Sequence, residues 1–146
     1  MDRLKLVFSH NHHPGEILIR VGTWSEWGHC GILFEHEGEV RVIDTRPFHG
    51  VKERTLAEYL HNTTKYQFKE VEVPDAAKGI AWARAQVGKS YDWGGVISFA
   101  VHRDWSEDDR WFCSELAEGA IQAAGRDRFI ENSVRRISPQ MAWIVV

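Results

Sequence analysis

The sequence predicts an α+β fold, and three observations carry that reading. Residues 29–44 hold two apolar segments around a Glu37-Gly38-Glu39 turn, the pattern of an antiparallel hairpin. Residues 66–73 alternate, with Phe68, Val71 and Val73 apolar, as a half-buried strand does. Two other stretches, 75–87 and 113–124, place apolar residues three and four apart, the period of an amphipathic helix. The 146 residues suffice for one domain with its own core. No repeat, low-complexity run or linker divides them, so residues 1–146 read as a single domain.

Taken in order, Ser9-His10-Asn11-His12-His13-Pro14 is a polar loop; its histidines lack a second cluster at ligand spacing, so no metal site is expected there. Gly15 and Gly22 bracket a strand over 16–21, and Trp24 to Gly28 is a short aromatic loop. His29 to Glu35 and Val40 to Asp44 are the hairpin strands, which Pro47 ends. Thr55 to Leu60 is a short helix. Asp75 caps the next helix, whose apolar face is Ala76, Ile80, Ala83 and Val87, and Gly88 stops it. Gly88-Lys89-Ser90 resembles the tail of a phosphate loop, but the leading glycine position is Ala83 and a helix precedes it, so that reading is rejected. An apolar segment spans 96–101, and the acidic loop 104–109 lacks calcium-loop spacing. Cys113, Leu116, Ala117, Ala120, Ile121 and Ala124 line one face of the next helix, with Glu115, Glu118 and Gln122 elsewhere and Gly125 as its stop. Residues 141–146 are expected to close the fold as a strand or packed tail.

Bulk properties exclude several function classes. A net charge of −3 with no basic run gives no nucleic-acid footprint. No apolar run is long enough for a membrane span. Residues 1–10 contain no apolar leader, so a cytoplasmic location is expected, with delivery by a phage or a secretion machine left open. Two cysteines do not make a disulfide framework.

Cys113 opens its helix. A thiol there lies near unpaired backbone N–H groups and the positive end of the helix dipole, which favour thiolate. An ordinary buried cysteine would occupy the same position, so the chemistry depends on a base. His29 opens a hairpin strand, and Asp44 lies on the neighbouring strand, within reach as a cross-strand or diagonal neighbour. Strand parity turns His29 and Cys30 to opposite faces, so Cys30 is expected to lie away from any site that His29 serves.

Gly88-Lys89-Ser90-Tyr91-Asp92-Trp93-Gly94-Gly95 and the later Trp111-Phe112-Cys113-Ser114 resemble the core pattern of the NlpC family of papain-like hydrolases. In the ordinary family the base histidine follows the cysteine. Here the last histidine is His102, and the base-strand pattern occurs earlier, as Gly28-His29-Cys30-Gly31-Ile32. That order resembles the circularly permuted branch, which includes amidase-like proteins and the lecithin retinol acyltransferase group. The likeness touches most of residues 14–124; Phe112 and Glu115 depart from the ordinary pattern, which has Asp and Gly there.

The resemblance implies a permuted papain-like fold, an antiparallel sheet packed against helices with the nucleophile at a helix N-terminus. It implies Cys113 as nucleophile, His29 as base, Asp44 as orienter, and Tyr91 as a hydroxyl near the thiol or oxyanion. Trp27, Trp93 and Trp111 flank these motifs and are expected to line a substrate groove. The implied activity is hydrolysis of an amide bond in a small peptide, with cell-wall peptides as the first candidate, through an acyl-enzyme and without metal or cofactor. The oligomeric state is left open. An acyltransferase or lipid amidase would use the same residues; a binding module of this fold would have an unreactive thiol; a small zinc protein would show metal.

Overall fold

The computed structural model describes residues 1–10, 26–46, 48–91, 110–111, 113–128 and 139–144, with residues 91, 110, 111, 139 and 140 by backbone alone. Strands β1 (Asp2–His10), β2 (His29–His36), β3 (Glu39–Arg46), β4 (Gly50–Thr55) and β5 (Lys65–Val73) form one sheet in the order β4-β3-β2-β1-β5. Every neighbouring pair in it is antiparallel. The helices are α1 (Leu56–Leu60), α2 (Ala76–Ala85), α3 (Cys113–Ala123) and α4 (Pro139–Ile144). A two-stranded parallel ladder, β6 (Ser90–Tyr91) with β7 (Arg110–Trp111), leads into α3. Among the described residues no helix is long and apolar enough to cross a membrane.

The hairpin turns where expected. Glu37 and Gly38 both have positive φ, 52° and 79°, the conformation that joins two twisted strands through two residues. Thr55 caps α1 with a full capping box: Glu58 N–H donates to Thr55 Oγ1, and Thr55 N–H donates to the Glu58 carboxylate. Asp75 caps α2 by accepting from Lys78 N–H. Beyond α3, Gly125 takes φ 92°, the left-handed stop.

The structure also corrects the sequence reading. Residues 2–10, where no element was expected, form a strand flanked by β2 and β5, and residues 50–55 form edge strand β4. Residues 139–144 are a short helix rather than a closing strand. Val87 is exposed, beyond the end of α2. The strand expected over 16–21, the segments 92–109 and 129–138, and Pro47 lie outside the described residues.

Parity sorts the sheet into two faces. Leu4, Leu6, Phe8, Cys30, Ile32, Phe34 and Ile43 face α2 and α3 in the main core. Val7, Leu33 and Val42 face the other way, onto Tyr59 of α1. Helix α3 is buried on all sides from Cys113 to Ile121, polar positions included. Glu118, off the apolar stripe, takes a two-pronged ion pair from Arg128, at 3.1 Å and 2.5 Å, with both side chains almost wholly buried. A carboxylate survives there only because the guanidinium fork meets both oxygens.

Helices α2 and α3 approach through glycines. A Cβ on Gly79 would lie 2.6 Å from the Ala120 carbonyl oxygen, and one on Gly119 would lie 2.3 Å from the Trp82 ring. This close approach seats α3 against the sheet. Helix propensity alone would make Gly79→Ala a gain of about 1 kcal/mol. We expect a net loss of about 1–2 kcal/mol, because overpacking against backbone outweighs that gain. A urea midpoint that falls at unchanged slope would show it; a rise would mean the helices are not held at this distance.

Candidate active site

The β2–β3 ladder runs from His36–Glu39 to Ile32–Ile43 and stops there. Asp44, Thr45 and Arg46 continue β3 against β4, while His29, Cys30 and Gly31 continue β2 against β1. Cys113, the first residue of α3, meets the start of β2 where the ladder has ended. Cys30, which has no β3 partner in the ladder, borders Cys113 closely enough to act on its charge. The His29 ring and the Cys30 side chain are the electrostatic neighbours of Cys113.

His29 is 6% exposed, Cys113 2% and Asp44 0%. His29 Nε2 hydrogen bonds Asp44 Oδ2 at 2.8 Å. With Nε2 taken, Nδ1 is the ring atom that faces Cys113. A fully buried carboxylate needs partners, and Asp44 has three. Besides His29, Arg46 Nε donates to Oδ2 at 2.7 Å and Arg54 Nε donates to Oδ1 at 2.6 Å. The His29 ring stacks on Tyr59, with centroids 5.5 Å apart and planes 21° apart. Tyr59 is pinned in turn: its hydroxyl shares a 3.0 Å hydrogen bond with Ser9, and the Arg46 guanidinium lies 5.3 Å from its ring centroid.

These contacts fix the charges. Burial pushes the Asp44 pKa up, but His29, Arg46 and Arg54 outweigh it and hold the carboxyl below the usual range. Burial pushes His29 down; its hydrogen bonds to Asp44 and Cys113 and their charges win, raising it from 6.5 to about 9. Burial pushes Cys113 up; the hydrogen bonds from Cys30 and His29 and the imidazolium charge win, lowering it from 9.0 to about 5. The hydrogen bond to Cys113 and burial together raise Cys30 well above the ordinary thiol value. One thiolate, one imidazolium and one neutral thiol result.

The structure therefore brings Cys113, His29 and Asp44 together. Parity held for β2: His29 is on the Tyr59 side and Cys30 on the helix side. The inference drawn from parity did not hold, because both reach Cys113 at the first turn of α3, over the start of the strand. Trp27, expected in a groove, is 1% exposed and packs on Phe8 and Trp143, with ring centroids at 6.3 Å and 5.0 Å. Tyr91 and Trp111 are ladder partners in β6–β7, which sets their backbones beside the entry to α3. Trp93 lies outside the described residues. Sequence reasoning missed Arg46, Arg54 and Tyr59. Arg46 carried a signal, since i and i+2 share a strand face; Tyr59 and Arg54 reach the site only through the fold. An open depression of about 770 Å³ lined by Lys5, Leu33, Phe68 and Ile80 contains none of the three central residues.

Among known families, the model for permuted papain-like amidases of the YaeF/YiiX type, the C92 family, matches residues 5–131. The chain belongs to that family, whose members are cysteine peptidases or amidases. A crystal structure of the metalloprotein yiiX from Escherichia coli O157:H7 shares the fold, with TM-score 0.66 and 22% identity. The match covers 84% of this chain and 66% of that one. No curated protein matches the sequence. The α+β permuted papain-like fold expected from the motifs is the fold observed.

The charge states give a pH prediction. Lowering the Cys113 pKa contributes stability that is lost as pH falls through about 5; raising that of His29 contributes stability that is lost as pH rises through about 9. Between these values the thiolate–imidazolium pair persists. Iodoacetamide labelling of Cys113, followed by mass spectrometry, should rise with a midpoint near pH 5, well below an ordinary thiol. A midpoint near 9.0 would mean that the pair does not form.

Proposed function

We propose that this member of the family hydrolyses an amide bond in a small peptide, with Cys113 as nucleophile, His29 as general base and acid, and Asp44 as the group that orients His29. The carrying observation is the continuous contact from Asp44 through His29 to a buried thiol at the first turn of a helix. Only residues joined in this order can pass a proton from thiol to leaving group.

The mechanism follows from the contacts. The Cys113 thiolate attacks the carbonyl carbon, and charge develops on the carbonyl oxygen. The positive end of the α3 dipole, where Cys113 stands, is the candidate to stabilise that oxyanion. Tyr91, on the strand paired with the residue two before Cys113, is the candidate for a further hydroxyl donor. His29, protonated through Nδ1, gives its proton to the leaving amine. It then takes a proton from water, which attacks the thioester and frees the acid. Asp44 stays ionised throughout and keeps the imidazolium in register, as a buried carboxylate beside histidine does in other hydrolases. Tyr59 limits the ring to one plane.

The description of yiiX implies a metal for that protein. Among the described residues no group of three His, Cys, Asp or Glu side chains could hold an ion. His29, Asp44 and Cys113 are already bonded to one another.

Cell-wall stem peptides are the first substrates to assay, as the NlpC-like motifs suggest. Incubation with a peptide panel that includes muropeptides, read by mass spectrometry, should give a new amine and a new acid. Cys113→Ala should abolish this. Asp44→Asn should leave the far-UV circular dichroism intact and lower turnover on the order of 10²–10⁴-fold, because a neutral amide cannot stabilise the imidazolium. Wild-type turnover in Cys113→Ala would exclude the thiol mechanism; wild-type turnover in Asp44→Asn would move the orienting role to another residue.

A further inference from the structure

The two edges of the five-stranded sheet differ. At the β4 edge, Val51 N–H donates to the Lys89 carbonyl at 2.8 Å, and the Val51 carbonyl accepts from Gly88 N–H at 2.9 Å, so the chain that follows α2 covers that strand. At the β5 edge, the described residues place no strand beyond Lys65–Val73. Arg126 alone among the printed contacts reaches it from outside, donating to the Glu72 carbonyl at 2.7 Å. A long edge left open in this way is a template for another strand.

The backbone groups that this edge offers can be assigned. In an antiparallel ladder, successive residues turn their N–H and C=O to opposite sides. The Ser9 carbonyl accepts from Gly28 N–H and so points toward β2, which leaves Phe8, Leu6 and Leu4 bonding to β5. Their register partners Gln67, Lys69 and Val71 therefore point toward β1, and Tyr66, Phe68, Glu70 and Glu72 point outward. The contact of Arg126 with the Glu72 carbonyl agrees with that assignment. Tyr66 and Phe68 also carry apolar surface there: they are 47% and 51% exposed, with ring centroids 5.5 Å apart.

We propose that β5 is a homodimer interface, pairing antiparallel with β5 of a second copy about a two-fold axis at Phe68. A two-fold axis lets one patch serve both copies. Only registers that oppose outward groups to outward groups can bond. Centring on Lys69 would oppose Tyr66 to Glu72, whose carbonyl Arg126 already holds, and would set Lys69 against Lys69. Centring on Gln67 would oppose Lys65 to Lys69 and leave Glu70 outside the paired stretch. Centring on Phe68 opposes Phe68 to Phe68 and Tyr66 to Glu70, an aromatic pair and a phenol beside a carboxylate. Between them, Gln67 opposes Lys69 and Lys65 opposes Val71, so no like charges meet. Lys69, the charge that would guard the edge, is drawn aside, its ammonium 4.2 Å from the Trp143 ring centroid. Nothing in this pairing depends on the chemistry of Cys113.

Sedimentation velocity of the full chain across a range of concentrations should show a reversible monomer–dimer equilibrium. Phe68→Lys removes the aromatic pair and sets two ammonium groups against each other at the axis. It should raise the dimer dissociation constant about tenfold or more, with the circular dichroism unchanged because the side chain is half exposed. If that variant does not fold, Tyr66→Glu, which opposes Glu70, takes its place. Phe68→Cys, oxidised mildly, should give a dimer whose disulfide maps to residue 68, since directly opposed residues lie within disulfide reach. Glu72→Cys should not cross-link. A wild-type chain that stays monomeric at every concentration would overturn the proposal. So would a dimer that the charged variant leaves intact, and so would cross-linking through Glu72→Cys in place of Phe68→Cys.

Discussion

A carboxylate with no access to water, Asp44, is the constraint around which this end of the sheet is arranged. Its desolvation is costly enough that each oxygen must be met by a donor. One donor comes from β2 (His29), one from β3 itself (Arg46) and one from β4 (Arg54). Three strands are thereby tied together at the place where the β2–β3 ladder stops. What the backbone no longer holds there, charged side chains hold instead. His29 and the two arginines sit where Asp44 needs them, and the thiol inherits the positive charge that results.

Helix α3 also depends on how closely two helices can pack. Gly79 and Gly119 remove the side chains that would keep α2 and α3 apart. Helix α3 is then surrounded on all sides from Cys113 to Ile121, and Glu118 is carried inside with Arg128 to neutralise it. A buried helix cannot fray or rotate cheaply, since its whole perimeter is packed. Its first residue, Cys113, is consequently held against β2 as firmly as a core side chain, although its chemistry calls for a polar neighbourhood. Preorganisation of this kind is what electrostatic stabilisation of an oxyanion requires, because dipoles that must move into place lose most of their effect.

Much of this was legible locally. The hairpin from His29 to Asp44, the caps Thr55 and Asp75, and the helix opening at Cys113 all follow from short-range patterns in the chain. The pairing of His29 with Asp44 was legible because a tight hairpin fixes cross-strand neighbours within a residue or two. Strand β1 was not legible: Arg3, Lys5 and Ser9 break the apolar run, and only the flanking strands β2 and β5 explain why these positions accept a strand. Trp27 was misplaced because a tryptophan next to a motif carries no local sign of whether its ring faces a groove or Phe8 and Trp143.

The sequence by itself determined the β2–β3 hairpin, strand β5, helices α1 to α3, the order of thiol and histidine along the chain, and hence the permuted family. These are short-range properties: periodicity, capping chemistry and motif spacing. Only the tertiary structure decided that Cys30 stands beside Cys113, that Tyr59 stacks on His29 and that Arg54 reaches Asp44. Each of those contacts crosses between different elements. Parity along β2 correctly sorted His29 from Cys30, but parity describes a strand within a sheet. It says nothing of the strand's first residues, where a helix end can be approached from both faces at once.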